Sequence, residues 1–234
     1  VQHRTLPAEV RQPFGAADIP DASLIARWWR RVWHSQPVAA PIEEIRQTFE
    51  ESAADEEHFP STIDPRILHV RVVVDAMQGA RRVLDLGCGK GRFARLVKDA
   101  VPQVQVVAFD LAVAMLRAAA PDLDRCAGSM LALPFPDASF DGVYATESLE
   151  HAVDIDRAVA ELCRVVRPGG QILIIDKNAE HWGRFKTPRW EKWFTAAELN
   201  GLLLRHCQHA SAAPISYWED VPADGLFLCW RATK

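Results

Sequence analysis

Two acids and a run of glycines set the first chemical expectation. The apolar stretch Val83-Leu84-Asp85-Leu86 leads straight into Gly87-Cys88-Gly89-Lys90-Gly91, and a helix-like segment from Phe93 to Ala100 follows. Strand, tight glycine turn and helix in that order is how doubly wound α/β folds hold a nucleotide-like ligand. The glycines let the backbone turn sharply and let a ligand approach without Cβ clashes. Asp110 closes the next apolar run, where a carboxylate can accept hydrogen bonds from both hydroxyls of a ribose. The same acid suits a helix N-cap, and a nicotinamide dehydrogenase shares the arrangement, so Asp110 alone does not choose between cofactors. Lys90 lies between glycines and is followed by Gly91-Arg92, so the phosphate-loop pattern GxxxxGK[ST] is not met. Cys88 reads as a small residue inside the turn.

The elements that must position these residues alternate regularly. Strands are expected over 82–86, 104–109, 125–127, 140–145 and 171–176, with helices over 92–100 and 112–119 between them. A further helix carries Ile155, Val159, Leu162 and Val166 on one face. Arg167-Pro168-Gly169-Gly170 reads as a sharp turn. Thr195-x-x-Glu198 is a capping box that opens a helix with Leu199, Leu202 and Leu203 inward. Ile215 to Trp218 and Leu226 to Ala232 are expected to pair as a closing hairpin. Upstream, helices are expected over 21–34, 42–55 and 66–77. Residues 1–60 read as an N-terminal arm and helical cap, and 61–234 as the binding domain.

Composition narrows the class. The chain has 234 residues, 49% of them hydrophobic, enough to bury a full core. A net charge of −4 offers no basic field for nucleic acid. Five cysteines, an odd number without a CxxC, argue against a disulfide framework or a structural zinc, and a reduced, cytoplasmic setting is the default. No apolar run approaches the roughly 18 to 20 residues of a membrane span, and the first twenty residues do not read as a signal peptide. The chain begins at Val1 and its first methionine is Met77, as in a trimmed start or a piece of a longer protein. Composition sets no oligomeric state.

Four further segments stand in register downstream of the glycine loop. They are Gly128-Ser129-Met130-Leu131-Ala132-Leu133-Pro134-Phe135, Ser139-Phe140-Asp141-Gly142-Val143, Glu147-Ser148-Leu149-Glu150-His151 and Arg167-Pro168-Gly169-Gly170. From about Arg82 to Asp176 the chain resembles class I S-adenosylmethionine-dependent methyltransferases. It is nearest the type 11 group that includes the ubiquinone and menaquinone C-methyltransferases. The resemblance implies one doubly wound, Rossmann-like α/β domain with a seven-stranded sheet, its last strand antiparallel. It implies that Asp85 and the loop Gly87, Cys88 and Gly89 hold the methionine end of S-adenosylmethionine (SAM). Asp110 would take the ribose, and Leu111 and Met115 would line the adenine. Where the family commonly has an acid for the adenine amino group, this chain has Ser129, a weaker acceptor than a carboxylate; the backbone of Met130 would then carry more of that recognition. Glu147, Ser148 and Leu149 would pass beside the sulfonium and the acceptor. No metal is expected, since the histidines show no metal-ligand spacing.

Methyl transfer from a sulfonium needs chiefly that donor and acceptor be held in line. A general base helps when the nucleophile carries a proton. His151 is the first candidate, because it follows the fourth strand at the edge where open α/β sheets place ligands, and its ordinary pKa suits proton transfer near neutrality. Glu147 and His181 are further candidates; a purely bracing role for His151 is the plain alternative. The segment after Asp176 interleaves Trp182, Phe185, Trp190, Trp193 and Phe194 with Lys177, Arg184, Lys186, Arg189 and Lys192. Aromatics with cations suit a small acceptor, planar or apolar, that carries an anionic group. Trp182, Arg184, Trp190 and Trp193 are therefore acceptor candidates, with Trp29 on the opposite wall; the plain alternative is a surface loop pinned by tryptophans. Three other functions fit parts of the pattern: a SAM-binding enzyme of different chemistry such as a cyclase, a non-catalytic SAM-binding module, and a nicotinamide-dependent oxidoreductase.

Overall fold

The computed structural model describes residues 40–234. Its elements in chain order are α1 (Ile42–Ser52), α2 (Leu68–Ala76), β1 (Arg82–Leu86), α3 (Arg92–Ala100), β2 (Gln105–Asp110), α4 (Val113–Ala118), β3 (Asp124–Ala127), β4 (Phe140–Thr146), α5 (Ile155–Val165), β5 (Val166–Lys177), α6 (Ala196–Leu203), β6 (His209–Ile215) and β7 (Phe227–Thr233). Short 3-10 turns at Leu149–His151 and Ala179–His181 follow β4 and β5. The expected helix over 21–34, with Trp28, Trp29 and Trp33, lies outside the described residues.

One seven-stranded sheet runs in the order β3-β2-β1-β4-β5-β7-β6. β1 to β5 pair in parallel, and β7 runs antiparallel to both β5 and β6. Strand periodicity divides the core in two. Val83, Val106, Leu173 and Cys229 face one layer with α2 and α3. Their neighbours Leu84, Val107, Ile172 and Trp230 face the other with α5 and α6. Both faces are covered, so the central strands are apolar throughout rather than alternating.

Strand order reverses at β1: β2 and β3 are laid down on one side of it and β4 and β5 on the other. Loops leaving the carboxyl ends of β1 and β4 therefore diverge, and a crevice opens there. Residues 40–60 lie over that crevice. Glu50 of α1 accepts hydrogen bonds from the Val113 and Ala114 amides at the start of α4, at 2.9 and 2.8 Å, where exposed N–H groups and the helix dipole favour an anion. Glu44 pairs with Arg189 at 2.6 Å and Glu56 with Lys90 at 2.6 Å.

Two expectations change. The outer partner of β7 is His209–Ile215, not Ile215–Trp218. The stretch 209–215 includes three alanines and a proline and lies at the sheet edge, so neither hydrophobicity nor β-branching marks it. The Arg167–Gly170 turn falls inside β5: Phe140 pairs with Val166, but Gly142 pairs with Gln171. The extra residues bulge out, and Gly169 at φ 76° donates its amide to the Lys234 carbonyl. The capping box forms as expected, with the Thr195 hydroxyl accepting from the Glu198 amide at 3.1 Å.

Candidate functional site

A cavity of about 280 Å³ fills the crevice. Its first wall is the glycine loop. The Gly87 and Cys88 amides donate to the Phe109 carbonyl at 2.8 and 3.0 Å, which ties the loop to β2. Gly87 sits at φ 75°, and a Cβ built there would fall 2.4 Å from the Cβ of Ser148. Only glycine meets both conditions, because the loop after β4 crosses here and its Ser148 hydroxyl donates to the Leu86 carbonyl at 2.7 Å. Cys88 is buried and its thiol pKa is pushed well up by that burial, which disfavours the thiolate a nucleophile needs.

Asp110 lines the cavity at the end of β2, and its carboxylate also organises the loop. One oxygen accepts from the Gly89 amide and the other from the Ala112 amide, each at 2.8 Å. Burial raises its pKa, and these backbone hydrogen bonds offset part of the rise. Asp85 lies beneath the loop, 1% exposed and beside Tyr144, its register partner on β4. The Tyr144 hydroxyl and the Ala94 amide approach the Asp85 carboxyl and partly offset its burial, although among the described residues neither makes a hydrogen bond of normal geometry to it. Desolvation carries the Asp85 carboxyl up to about 7. Asp85 itself is not among the residues that line the cavity; it lies behind the glycine loop.

The remaining cofactor candidates divide by orientation. Leu111, Met115, Ser129, Met130, Glu147 and Ser148 line the cavity. Leu149 does not: its side chain is fully buried among Leu86, Ala158 and their neighbours in the core. The Ser129 hydroxyl accepts from the Leu131 amide at 3.2 Å, a short turn that presents the Met130 backbone. Arg92, not singled out from the sequence, also lines the cavity. Its guanidinium lies over the ring of its neighbour Phe93, and among the described residues it has no carboxylate partner.

Past Glu147 the cavity changes character. Glu147 adopts φ 50°, an uncommon backbone for a side chain with a Cβ, and its amide donates to the Ile175 carbonyl at 2.8 Å. Beyond it stand His151, Glu150, Lys177 and Glu191. The Lys177 ammonium lies 2.5 Å from Glu150 Oε1 and 3.3 Å from Glu191 Oε1. Burial disfavours this ammonium, but the surrounding carboxylates outweigh burial and raise its pKa. His151 faces the Phe49 ring at 5.0 Å between centroids. Burial takes its pKa down to about 4, with Glu191 pulling the other way. The imidazole is therefore neutral at pH 7 and a weak base, not the near-neutral proton acceptor its ordinary pKa promised. His181 does not line the cavity.

The aromatic segment after β5 contributes Phe185, Lys186, Thr187, Pro188 and Glu191 to the lining. Trp182, Arg184, Trp190 and Trp193 are not among the lining residues. Trp193 is 3% exposed, packs edge-on against Trp182 at 5.2 Å, and donates its indole N–H to Glu191 at 2.6 Å. Arg184 pairs with Asp224. This is the pinned-loop arrangement, and Trp193, backed by Trp182, holds Glu191. Trp29 lies outside the described residues. The aromatic wall comes instead from Phe49 and Phe59 of the cap and Phe185. Lys177, Glu150 and Glu191 were missed as a group because buried charge is not readable from composition.

Comparison with known proteins agrees with this geometry. Residues 84–174 match the family model described as a methyltransferase domain. The chain is 37% identical over 122 residues to a demethylmenaquinone methyltransferase of Renibacterium salmoninarum, covering 50% of this chain and 51% of that one. It is 36% identical over 134 residues to the methyltransferase GfsG of Streptomyces halstedii, covering 50% and 47%. The chain thus spans about half the length of the curated relatives it matches. A SAM-dependent methyltransferase structure from Thermotoga maritima superposes with a TM-score of 0.64 at 20% identity, over 80% of this chain and 99% of that one, and shares the fold.

Proposed function

We propose, for a chain whose residues 84–174 belong to the type 11 group of class I SAM-dependent methyltransferases, that it transfers the methyl of SAM to a small-molecule acceptor. The observation that carries this reading is the continuity of the cavity. It runs from the glycine loop and Asp110, past Glu147, into a compartment walled by Phe49, Phe59 and Phe185. A cofactor laid along the first part would present its sulfonium to the second.

The residues fit the cofactor. Asp85, buried directly beneath the glycine loop, and Arg92, which lines the cavity and has no carboxylate partner among the described residues, are complementary to the ammonium and carboxylate of a methionine end. Asp110 keeps lone pairs for the ribose, and Leu111, Met115 and Met130 flank the base. SAM supplies an activated methyl group. The chain's part is to hold the acceptor in line and exclude water, and residues 40–60 serve as the cap that does so. His151 offers a neutral imidazole lone pair on the acceptor side.

The acceptor is inferred to be apolar or aromatic with an anionic group. Among the cations at the end of β5 and in the segment after it, Lys177, Arg184, Arg189 and Lys192 are paired. Lys186 lines the cavity and has no ion-pair partner among the described residues. Among the described residues no helix is long and apolar enough to cross a membrane. All five cysteines are free, which suits the reducing cytoplasm proposed as the working compartment.

The test is a thermal shift with S-adenosylhomocysteine (SAH) and with NAD, followed by turnover of SAM to SAH in the presence of candidate acceptors. Stabilisation by SAH alone together with acceptor-dependent SAH formation supports the reading. Stabilisation by NAD but not SAH refutes it.

A further inference from the structure

Five cysteines without a CxxC mark no dithiol site along the sequence. The fold makes one. Cys163 lies in α5 and Cys207 just past the end of α6, and the packing of these two helices brings their sulfurs to 3.7 Å. Among the described residues no other two thiols are in contact.

We infer that Cys163 and Cys207 form an oxidation site, a dithiol that closes to an intramolecular disulfide on meeting a small disulfide of the glutathione type and opens again on reduction. This goes beyond the methyl-transfer reading and does not rest on it. Three observations carry it. The first is placement. Cys163 is held inside a helix, 1% exposed, and the Cys207 amide donates to the Leu203 carbonyl at 2.9 Å, which fixes it to the last turn of α6. From 3.7 Å the sulfurs have only about 1.7 Å to close before they are bonded. The second is that the two thiols are chemically unequal. The hydrogen bond between them lowers the pKa of Cys207 and raises that of Cys163, where burial adds to the rise. The Lys234 ammonium, held nearby by the Arg164 carbonyl at 3.1 Å, favours the thiolate in both. Cys207 is therefore the attacking sulfur. The third is access, which follows the same division. Cys207 is half-buried between exposed His206 and Gln208, whereas Cys163 is closed into the core.

The Cys207 thiolate attacks one sulfur of glutathione disulfide, whose S–S bond breaks with its electron pair leaving on a glutathione thiolate. Cys163 then attacks the Cys207 sulfur of the mixed disulfide and displaces the second glutathione thiolate. The two cysteines lose two electrons and two protons, and glutathione disulfide takes up both to become two glutathiones. The new bond ties α5 to the chain after α6. Helix α5 follows the turn that carries Glu150 and His151, and α6 follows the segment that carries Glu191. The disulfide therefore reinforces the junction that Lys177 makes between those two segments at the acceptor end of the cavity. It closes a loop of roughly 45 residues, which should raise the melting temperature by about 5–15 °C.

The test incubates the folded, reduced full chain with excess glutathione disulfide at about pH 8, where a lowered thiol is in part thiolate. Intact mass and peptide mapping are read, and circular dichroism confirms that the fold is native. The wild-type protein should lose two hydrogen atoms and yield one linked peptide pair, joining Cys163 to Cys207. Its melting temperature should rise as stated and return on treatment with dithiothreitol. Cys163→Ala, which keeps the core apolar, should instead retain glutathione on Cys207. Cys207→Ser should leave Cys163 unmodified. Natively folded wild-type protein that forms no Cys163–Cys207 link overturns the site, as does a link that runs through Cys88, Cys126 or Cys229. A melting temperature that falls on oxidation also overturns it, because the fold would then have to give way for the bond to form.

Discussion

Cofactor affinity should depend on pH through Asp85. This carboxyl is 1% exposed and is carried by desolvation to about 7, with the Tyr144 hydroxyl and the Ala94 amide offsetting part of the rise. The proposed ligand brings an ammonium to it, and such a group stays protonated below about pH 8. Binding then favours the carboxylate and releases one proton wherever the free protein holds Asp85 protonated. If the bound pKa returns to an ordinary value of about 4, the SAH affinity falls by roughly tenfold between pH 8 and pH 6, and by about another tenfold at pH 5. Calorimetry at these pH values, in buffers of different ionisation enthalpy, reads both the affinity and the proton. Asp85→Asn should bind more weakly at pH 8 and lose most of the slope. The ligand-free protein gives an independent check. The folded pKa of Asp85 lies above its unfolded value, so its stabilising contribution is fully present below about pH 4 and is lost as pH rises through about 7. Free Asp85→Asn should therefore exceed the wild type in stability at pH 8, by up to about 4 kcal/mol. An affinity independent of pH, or a slope unchanged in Asp85→Asn, would refute the placement of the methionine end.

Asp110→Ala should remove most SAM binding, because each hydrogen bond to a charged group contributes about 1.5–3 kcal/mol. The Gly89 amide loses its acceptor as well; near-wild-type affinity by calorimetry would contradict the ribose assignment. Ser129→Asp should tighten SAM binding by offering a carboxylate to the adenine amino group, and weaker binding would mean that the base lies elsewhere. Trp193→Ala should lower the melting temperature by about 6–20 °C, from a loss of about 3–5 kcal/mol on truncating a core aromatic. SAH and acceptor affinities should fall together; a stable variant with only acceptor binding impaired would return Trp193 to the pocket wall.

Much of the fold was written locally. Gly87, Gly89 and Gly91 all adopt positive φ, as a turn between strand and helix demands, and a glycine pattern shows this without tertiary information. The apolar runs of β1, β2 and β5 and the Thr195–Glu198 capping box are likewise properties of a few adjacent residues. Asp110 followed from the same local order, and Leu111, Met115, Ser129 and Met130 on the cavity wall from the family resemblance. The edge strand 209–215 did not, because its pairing depends on β7 lying beside it and not on its own alanines.

Tertiary structure decided the direction and charge environment of side chains. Leu149, Trp182 and Trp193 belong to stretches correctly placed near the site, yet packing turns them into the core while Phe49 and Phe59 arrive from the cap to form the wall. His151 carries an ordinary imidazole in the sequence, and burial takes it down to about 4 in the fold. Lys177, Glu150 and Glu191 are separated along the chain and become one buried cluster only when β5 and the turn after β4 meet. The sequence by itself determined the succession of strands and helices along the nucleotide-like half and the glycine turn after its first strand, since backbone conformation follows short-range sterics and periodicity. Which side chains face the acceptor, and which charges are desolvated together, only the tertiary structure decided, because desolvation depends on every neighbour that closes around a group.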